Sequence, residues 1–219
     1  MWSIVRKDLS IERRTGELLS SLFLLALLMV LVFAFTLEPE RLRAPEFAAG
    51  VLWSTLVFAG NLSLNRSFVV EREAGAWTAL GLAPLDPGAV YLGKVIANFL
   101  FLLLAATVFL PLIVVLLGTQ SVAPQPLLAA SLLLGVAGIA SVGTLFAAMA
   151  SRTRAREVLQ PLLSFPILAP LLIGAARTTT AGLGVGSVAD VGSWLLILIG
   201  FDIVFLASGW LAFDWVLEE

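Results

Sequence analysis

Six long apolar stretches follow one another along this chain, at residues 18–37, 47–65, 90–117, 127–150, 158–176 and 191–216. A helix needs about 20 mainly apolar residues to cross the hydrocarbon of a bilayer, and these stretches approach or exceed that length. The pattern predicts an all-α membrane protein with six transmembrane helices. Hydropathy breaks between the second and third stretches, at Asn65-Arg-Ser-Phe-Val-Val-Glu-Arg-Glu-Ala-Gly-Ala-Trp-Thr-Ala-Leu-Gly-Leu-Ala-Pro84. This segment must sit in water. It is long enough for a short helix crowned by Glu71, Arg72 and Glu73, and a turn from Pro84 to Gly88 follows it. A charged helix held out from a protein with almost no other soluble mass looks built to be gripped by a partner.

Residues 1–17 form a separate element. At 100° per residue Arg6, Lys7, Arg13 and Arg14 share one face, and Met1, Trp2, Ile4, Val5, Leu9 and Ile11 spread over the other, with Asp8 and Glu12 intruding. This spacing predicts an imperfect amphipathic helix lying on the inner leaflet; the plainer alternative is a basic tail that serves topology alone. The first apolar stretch is too long for a signal peptide, and Phe35-Thr-Leu-Glu-Pro39 offers no small-residue cleavage site, so it reads as an anchor.

Orientation follows from the basic residues. With the N-terminus inside, Arg6, Lys7, Arg13, Arg14, Arg66, Arg72, Lys94, Arg152, Arg154 and Arg156 lie on the cytoplasmic side and Arg41, Arg43 and Arg177 on the other, ten of the thirteen Lys and Arg residues against three. Both termini of this multi-pass protein then face the cytoplasm. Trp53, Trp194 and Trp215 lie near the ends of the stretches and suit interfacial anchoring.

Composition narrows the chemistry. The chain is 60% hydrophobic and 13% charged, against about 25% charged in ordinary soluble domains. There is no room for a soluble catalytic domain, and all 219 residues read as one polytopic membrane unit. A net charge of −2 gives no basic footprint for nucleic acid. The absence of Cys and His removes disulfides, thiolate chemistry, the usual zinc sites and imidazole acid–base catalysis. It also removes the commonest haem ligands, leaving Met1, Met29, Met149 and Tyr91 as conceivable axial groups. No G-x-x-x-x-G-K-[ST] phosphate loop is present, so the chain is expected to hydrolyse no ATP by itself. Gly182-Leu-Gly184-Val-Gly186 has the wrong spacing for a dinucleotide loop and reads as an extramembrane loop.

Polar residues inside the stretches are the remaining candidates. Asp202 lies near the middle of the sixth, where a carboxylate is costly; a structural hydrogen bond or a neutral acid facing the bundle interior is the plain reading, and a functional site the sharper one. Asn61 and Asn98 can bridge helices. Gly135, Gly138 and Gly143, with Ser131 and Ser141, make the fourth stretch smooth enough for close approach. Pro161, Pro166 and Pro170 break the fifth repeatedly, which predicts kinks. Residues 176–190 read as an external loop or short re-entrant elements.

At the break in hydropathy, Glu71-Arg-Glu-Ala-Gly-Ala-Trp-Thr-Ala-Leu-Gly-Leu-Ala-Pro84 followed by Tyr91-Leu-Gly-Lys94 resembles the signature "EREDGALEGLLLAPV…IYLGK" of the haem exporter protein B family, CcmB. Lys7-Asp-Leu with Arg13 and Arg14, Asn65-Arg-Ser-Phe68, the length and the six-stretch layout are similar too. Trp77 and Thr78 depart from it, where the family tends to have small or acidic residues. The resemblance implies an ABC-2 exporter permease fold for cytochrome c maturation, with a cytoplasmic coupling segment at 66–89 and its helix near Val69 to Leu80. Arg66, Glu71, Arg72, Glu73, Gly75, Trp77 and Leu80 would meet the groove of a separate ATP-binding-cassette subunit. It further implies a homodimer of this chain in membrane lipid, joined by a haem-handling membrane protein and a small single-span subunit. ATP would act through the partner, and haem would be handled by the complex with no cofactor bound directly to this chain. The assembly's task is then haem export, or ATP-driven release of a haem-loaded periplasmic chaperone; the lack of His and Cys favours the second. An ABC-2 permease with another substrate is the nearest alternative. A proton-coupled secondary transporter requires more buried acids and an internal repeat, and an intramembrane enzyme requires a nucleophile–base pair that the sequence does not show.

Overall fold

The computed structural model describes residues 17–36, 38, 44–73, 86–117, 126–150, 153, 156–184 and 188–218. Among them are six α-helices and no strand: α1 Glu17–Thr36, α2 Pro45–Glu73, α3 Pro87–Leu117, α4 Pro126–Ala150, α5 Arg156–Gly182 and α6 Val188–Glu218. Three of these helices open on proline, at Pro45, Pro87 and Pro126, where the missing N–H has no intrahelical acceptor to lose and the fixed φ favours the first turn. Asp86 caps α3: its carboxylate Oδ1 accepts from the Gly88 N–H at 3.1 Å, and its carbonyl accepts from Ala89 and Val90. At the other extreme α5 stops at Gly182, and Gly184 takes φ +95° in the turn beyond, a conformation glycine reaches without a Cβ clash.

Five helices among the described residues are long and apolar enough to cross a membrane: Pro45–Leu64, Pro87–Leu117, Pro126–Ala150, Val158–Gly182 and Val191–Trp215. Within α1 the corresponding apolar stretch is the shorter Phe23–Val32. The protein is an all-α membrane protein. Large apolar side chains such as Phe35, Val115, Leu196, Leu211 and Trp215 project outward from it, as a lipid-facing surface requires.

The core joins all six helices through Val30, Leu52, Leu56, Leu102, Phe109, Val136, Ile139, Leu168, Leu171 and Leu198. α4 is the hub, in contact with α2, α3, α5 and α6, while α1 packs chiefly on α2 and α3 at the periphery. Cross-helix neighbours run in opposite directions between α2 and α3 (Ser63 with Asn98, Gly60 with Leu102) and between α4 and α5 (Ser131 with Thr178, Gly138 with Leu171). From α2 to α6, one end of the bundle therefore gathers Glu73, Pro87, Ala150, Arg156 and Glu218, and the opposite end Pro45, Leu117, Pro126, Gly182 and Val188.

The α4 glycines act as sockets for side chains from neighbouring helices. The Trp53 indole fills the space a Cβ on Gly135 would need; Leu171 Cδ1 and Asp202 Oδ1 would stand 2.5 and 2.9 Å from a Cβ on Gly138; Leu64 Cδ1 would stand 2.5 Å from one on Gly143. Close approach here means large side chains entering a small-residue helix, the packing that holds helices together where lipid removes the hydrophobic drive.

Several sequence expectations are corrected. Residues 66–73 do not begin a separate element: they continue α2 without a break, and Pro87 to Ala89 already belong to α3. The fifth span runs past Ala176 to Gly182, so Arg177 to Ala181 are helical rather than an external loop. Thr178, Thr179 and Thr180 are buried there, and the hydroxyls of Thr178 and Thr179 are hydrogen-bonded within the bundle. Trp53 is 2% exposed and therefore no interfacial anchor. Lys94, at the start of the third stretch and counted on the cytoplasmic side, is 3% exposed and sits two turns inside α3. The amphipathic helix expected at residues 1–17 lies outside the described residues, apart from Glu17.

Candidate functional site

The charged segment and the buried polar groups are placed by the same helix. α2 carries Trp53, Thr55, Asn61 and Ser63 through the bundle and then continues as Arg66, Glu71, Arg72 and Glu73. No proline, glycine or cap interrupts it between Leu64 and Glu73. Whatever docks on the charged end is thus joined by unbroken backbone hydrogen bonding to the bundle core. Gly75, Trp77 and Leu80 lie outside the described residues.

Near the Glu73 end, the expected bridging role of Asn98 is realised on two sides. Its Oδ1 accepts from Ser63 Oγ at 3.2 Å on α2, and its Nδ2 donates to Thr144 Oγ1 at 3.4 Å on α4. Asn61 spends its amide donor on its own helix, on the Val57 carbonyl at 2.9 Å, and its Oδ1 accepts a long 3.5 Å bond from Ser164 of α5. One turn away on α5, Gln160 is wholly buried, yet neither its Nε2 nor its Oε1 has a partner. Gln160 and Ser164 escaped sequence reasoning because nothing local distinguishes a polar residue at the start of an apolar stretch from one at a water-facing helix end.

Tyr91 and Gly93 of the Tyr91-Leu-Gly-Lys94 segment are packing residues in this bundle. The Tyr91 hydroxyl donates towards the carbonyls of Ser141 on α4 and Phe205 on α6 at 3.1 and 3.2 Å. Its ring occupies the space beside Gly209 and meets Phe213 at 5.4 Å between centroids. As a phenol buried completely and turned to backbone carbonyls, it has no open face for haem iron. Deeper in the bundle, Asp202 lies at the junction of α4, α5 and α6 with its Oδ1 against Gly138 and without a hydrogen-bond partner. The structure does not bring Asp202 into contact with Asn61 or Asn98 through any hydrogen bond.

The opposite end holds a closed polar network. Trp53 Nε1 donates to Thr179 Oγ1 at 2.9 Å; Thr179 Oγ1 and Ser131 Oγ share a hydrogen bond at 2.7 Å; Thr178 Oγ1 lies 2.8 Å from Ser131 Oγ; and both Ser131 and Thr178 reach the Ala175 carbonyl. Three helices, α2, α4 and α5, are tied at one level. No group of three or more His, Cys, Asp or Glu able to hold a metal ion occurs among the described residues.

The sequence profile of the CcmB protein family matches residues 1–218. The chain belongs to the CcmB family. It is 31% identical over 183 residues to Heme exporter protein B of Rhodobacter capsulatus, covering 83% of each chain. It is 30% identical over 183 residues to Heme exporter protein B of Pseudomonas aeruginosa, covering 82% of this chain and 81% of that one. The protein of that name from Bradyrhizobium diazoefficiens is 26% identical over 209 residues, 94% of this chain and 92% of its own. The CcmB match takes in all six helices and the charged end of α2 together.

Proposed function

We propose that this chain is the permease subunit of an ATP-binding-cassette assembly serving cytochrome c maturation, itself without catalytic activity. The observation that carries the coupling is the continuity of α2: a docking event at Arg66–Glu73 is transmitted along one uninterrupted helix to the polar clusters around Asn61 and Trp53. In this reading the segment 66–89 seats in the groove of the ATPase subunit. Six spans place both termini on the cytoplasmic side of a bacterial inner membrane, and two copies of the chain stand in the complex beside a haem-handling membrane protein and a small single-span subunit.

The names of the relatives supply haem as the cargo of the system. This chain has neither His nor Cys, and Tyr91 is committed to backbone carbonyls. Iron ligation then belongs to another subunit, and the part of this chain is mechanical: converting closure of the ATPase into movement of the helices against that subunit. Release of a haem-loaded chaperone fits that division of labour better than passage of haem through this chain.

The test is charge reversal. Acidic groups on a projecting helix end set register against basic residues of a partner, and like charge opposite them costs several kcal/mol. The variant carrying Glu71→Lys and Glu73→Lys is expected to insert normally and accumulate to ordinary levels, to lose co-purification of the ATPase, and to abolish cytochrome c maturation. An intact complex with normal maturation in that variant removes the coupling assignment.

A further inference from the structure

The two halves of α5 differ in what holds them. Beyond Pro166 the helix buries Leu168, Leu171, Ala175, Thr178 and Thr179 and is fastened by the closed network to Ser131 and Trp53. Before Pro166 only Gln160 and Ser164 are buried among residues 158–166, while Val158, Leu162, Leu163 and Phe165 are exposed. The Gln160 side chain makes no hydrogen bond, and those of the Ser164 hydroxyl, to Asn61 and to the Pro161 carbonyl, are 3.5 and 3.4 Å long. At and on either side of the division, Pro161, Pro166 and Pro170 lack the N–H that would bond the carbonyls of Glu157, Leu162 and Pro166.

A buried amide with both ends unpaired is rare in native proteins and points to a partner supplied in some other arrangement. Sharp bends in helices concentrate at proline. We propose that residues 156–165 of α5 form a hinged arm that swings about Pro161–Pro166 while residues 167–182 stay fixed, and that Gln160 is its latch, unpaired in the packed position and hydrogen-bonded in the displaced one. The carbonyls that the prolines leave free lie on the same helix within a few residues of Gln160 and are the acceptors assigned to its amide in the displaced position. The arm starts at the same end of the bundle as the charged end of α2 and touches α2 through Ser164 and Phe165, the latter edge-on to Phe58 at 5.9 Å. It is thus the part of the core best placed to respond to movement of that helix.

The chain contains no cysteine, so spin labels on introduced cysteines report only their own sites. The exposed positions Val158, Ile173 and Leu104 give two pairs, 158–104 for the arm and 173–104 for the fixed half. They are measured by double electron–electron resonance on the full chain in lipid nanodiscs. Val158 stands about 12 Å along the axis from Pro166 at 1.5 Å per residue, so a bend of about 20° moves it by about 4 Å. The 158–104 distribution is expected to be two-peaked with that separation, and the 173–104 distribution single and narrow. Gln160→Leu removes the amide and is expected to collapse 158–104 to the shorter-range, packed peak; Pro161→Ala with Pro166→Ala, which restores two backbone bonds, is expected to do the same. A single narrow 158–104 peak, equal widths for the two pairs, or a two-peaked distribution untouched by both variants each overturns the hinge.

Discussion

The network around Thr179 and the cluster around Gln160 are built from similar residue types on the same helix, at opposite ends of the bundle, with opposite results. At the Thr179 end each hydroxyl and the Trp53 indole has a partner at 2.7–3.1 Å, and a large aromatic ring fills the socket at Gly135. At the Gln160 end two amides and a hydroxyl share one long bond between helices, and no large apolar side chain of the arm is buried. Lipid tails are as apolar as leucine, so burial alone does not press membrane helices together; fit and polar pairing do. The Thr179 network has both and the first half of α5 has little of either, which makes the network a clamp and that half-helix a place where movement costs little.

The contrast can be broken most severely at its aromatic anchor. Trp53→Ala empties the socket at Gly135 and deletes the indole donor, and truncation of a buried tryptophan costs about 3–5 kcal/mol. Unfolding followed by circular dichroism in detergent should show a loss of that size, and a loss below about 1 kcal/mol would mean that the clamp is not held by this ring. A smaller effect is expected from Thr179→Val, which keeps the shape but leaves the Trp53 N–H unpaired while Ser131 retains Thr178 and the Ala175 carbonyl. Side-chain hydrogen bonds between membrane helices are worth about 0.6–1.7 kcal/mol, and the same unfolding measurement should register a destabilisation in that range. The smallest effect belongs to Gln160→Leu: with no partner to lose, it should leave stability unchanged or raise it by about 1 kcal/mol. If Gln160→Leu destabilises as much as Thr179→Val, the two ends are equivalent and the comparison fails.

Much of the fold was legible in order and kind. The six apolar stretches correspond to the six helices, and the prolines at 45, 87 and 126 mark helix starts for a local reason, the geometry of the first turn. The misreadings share a cause. Trp53 near a span boundary looks like an interface anchor until Gly135, on a helix distant in sequence, offers it a socket. Thr178 and Thr179 look like part of a loop until Ser131 and the carbonyl of Ala175 pair with them. For the candidate interface, the charged residues Arg66, Glu71, Arg72 and Glu73 were evident from composition, whereas their rigid attachment to the core is a property of α2 as folded.

By itself, then, the sequence determined that this is an all-α membrane protein, the order of its helices, that it carries no thiol or imidazole chemistry, and that its signature is that of the CcmB family. These follow from quantities that add up locally: apolar length against bilayer thickness, first-turn geometry and residue inventory. Only the tertiary structure decided which polar groups are paired, because a hydrogen bond between helices depends on a register that no single helix encodes. It is that register which closes the network at Thr179 and leaves the amide of Gln160 and the Oδ1 of Asp202 without partners.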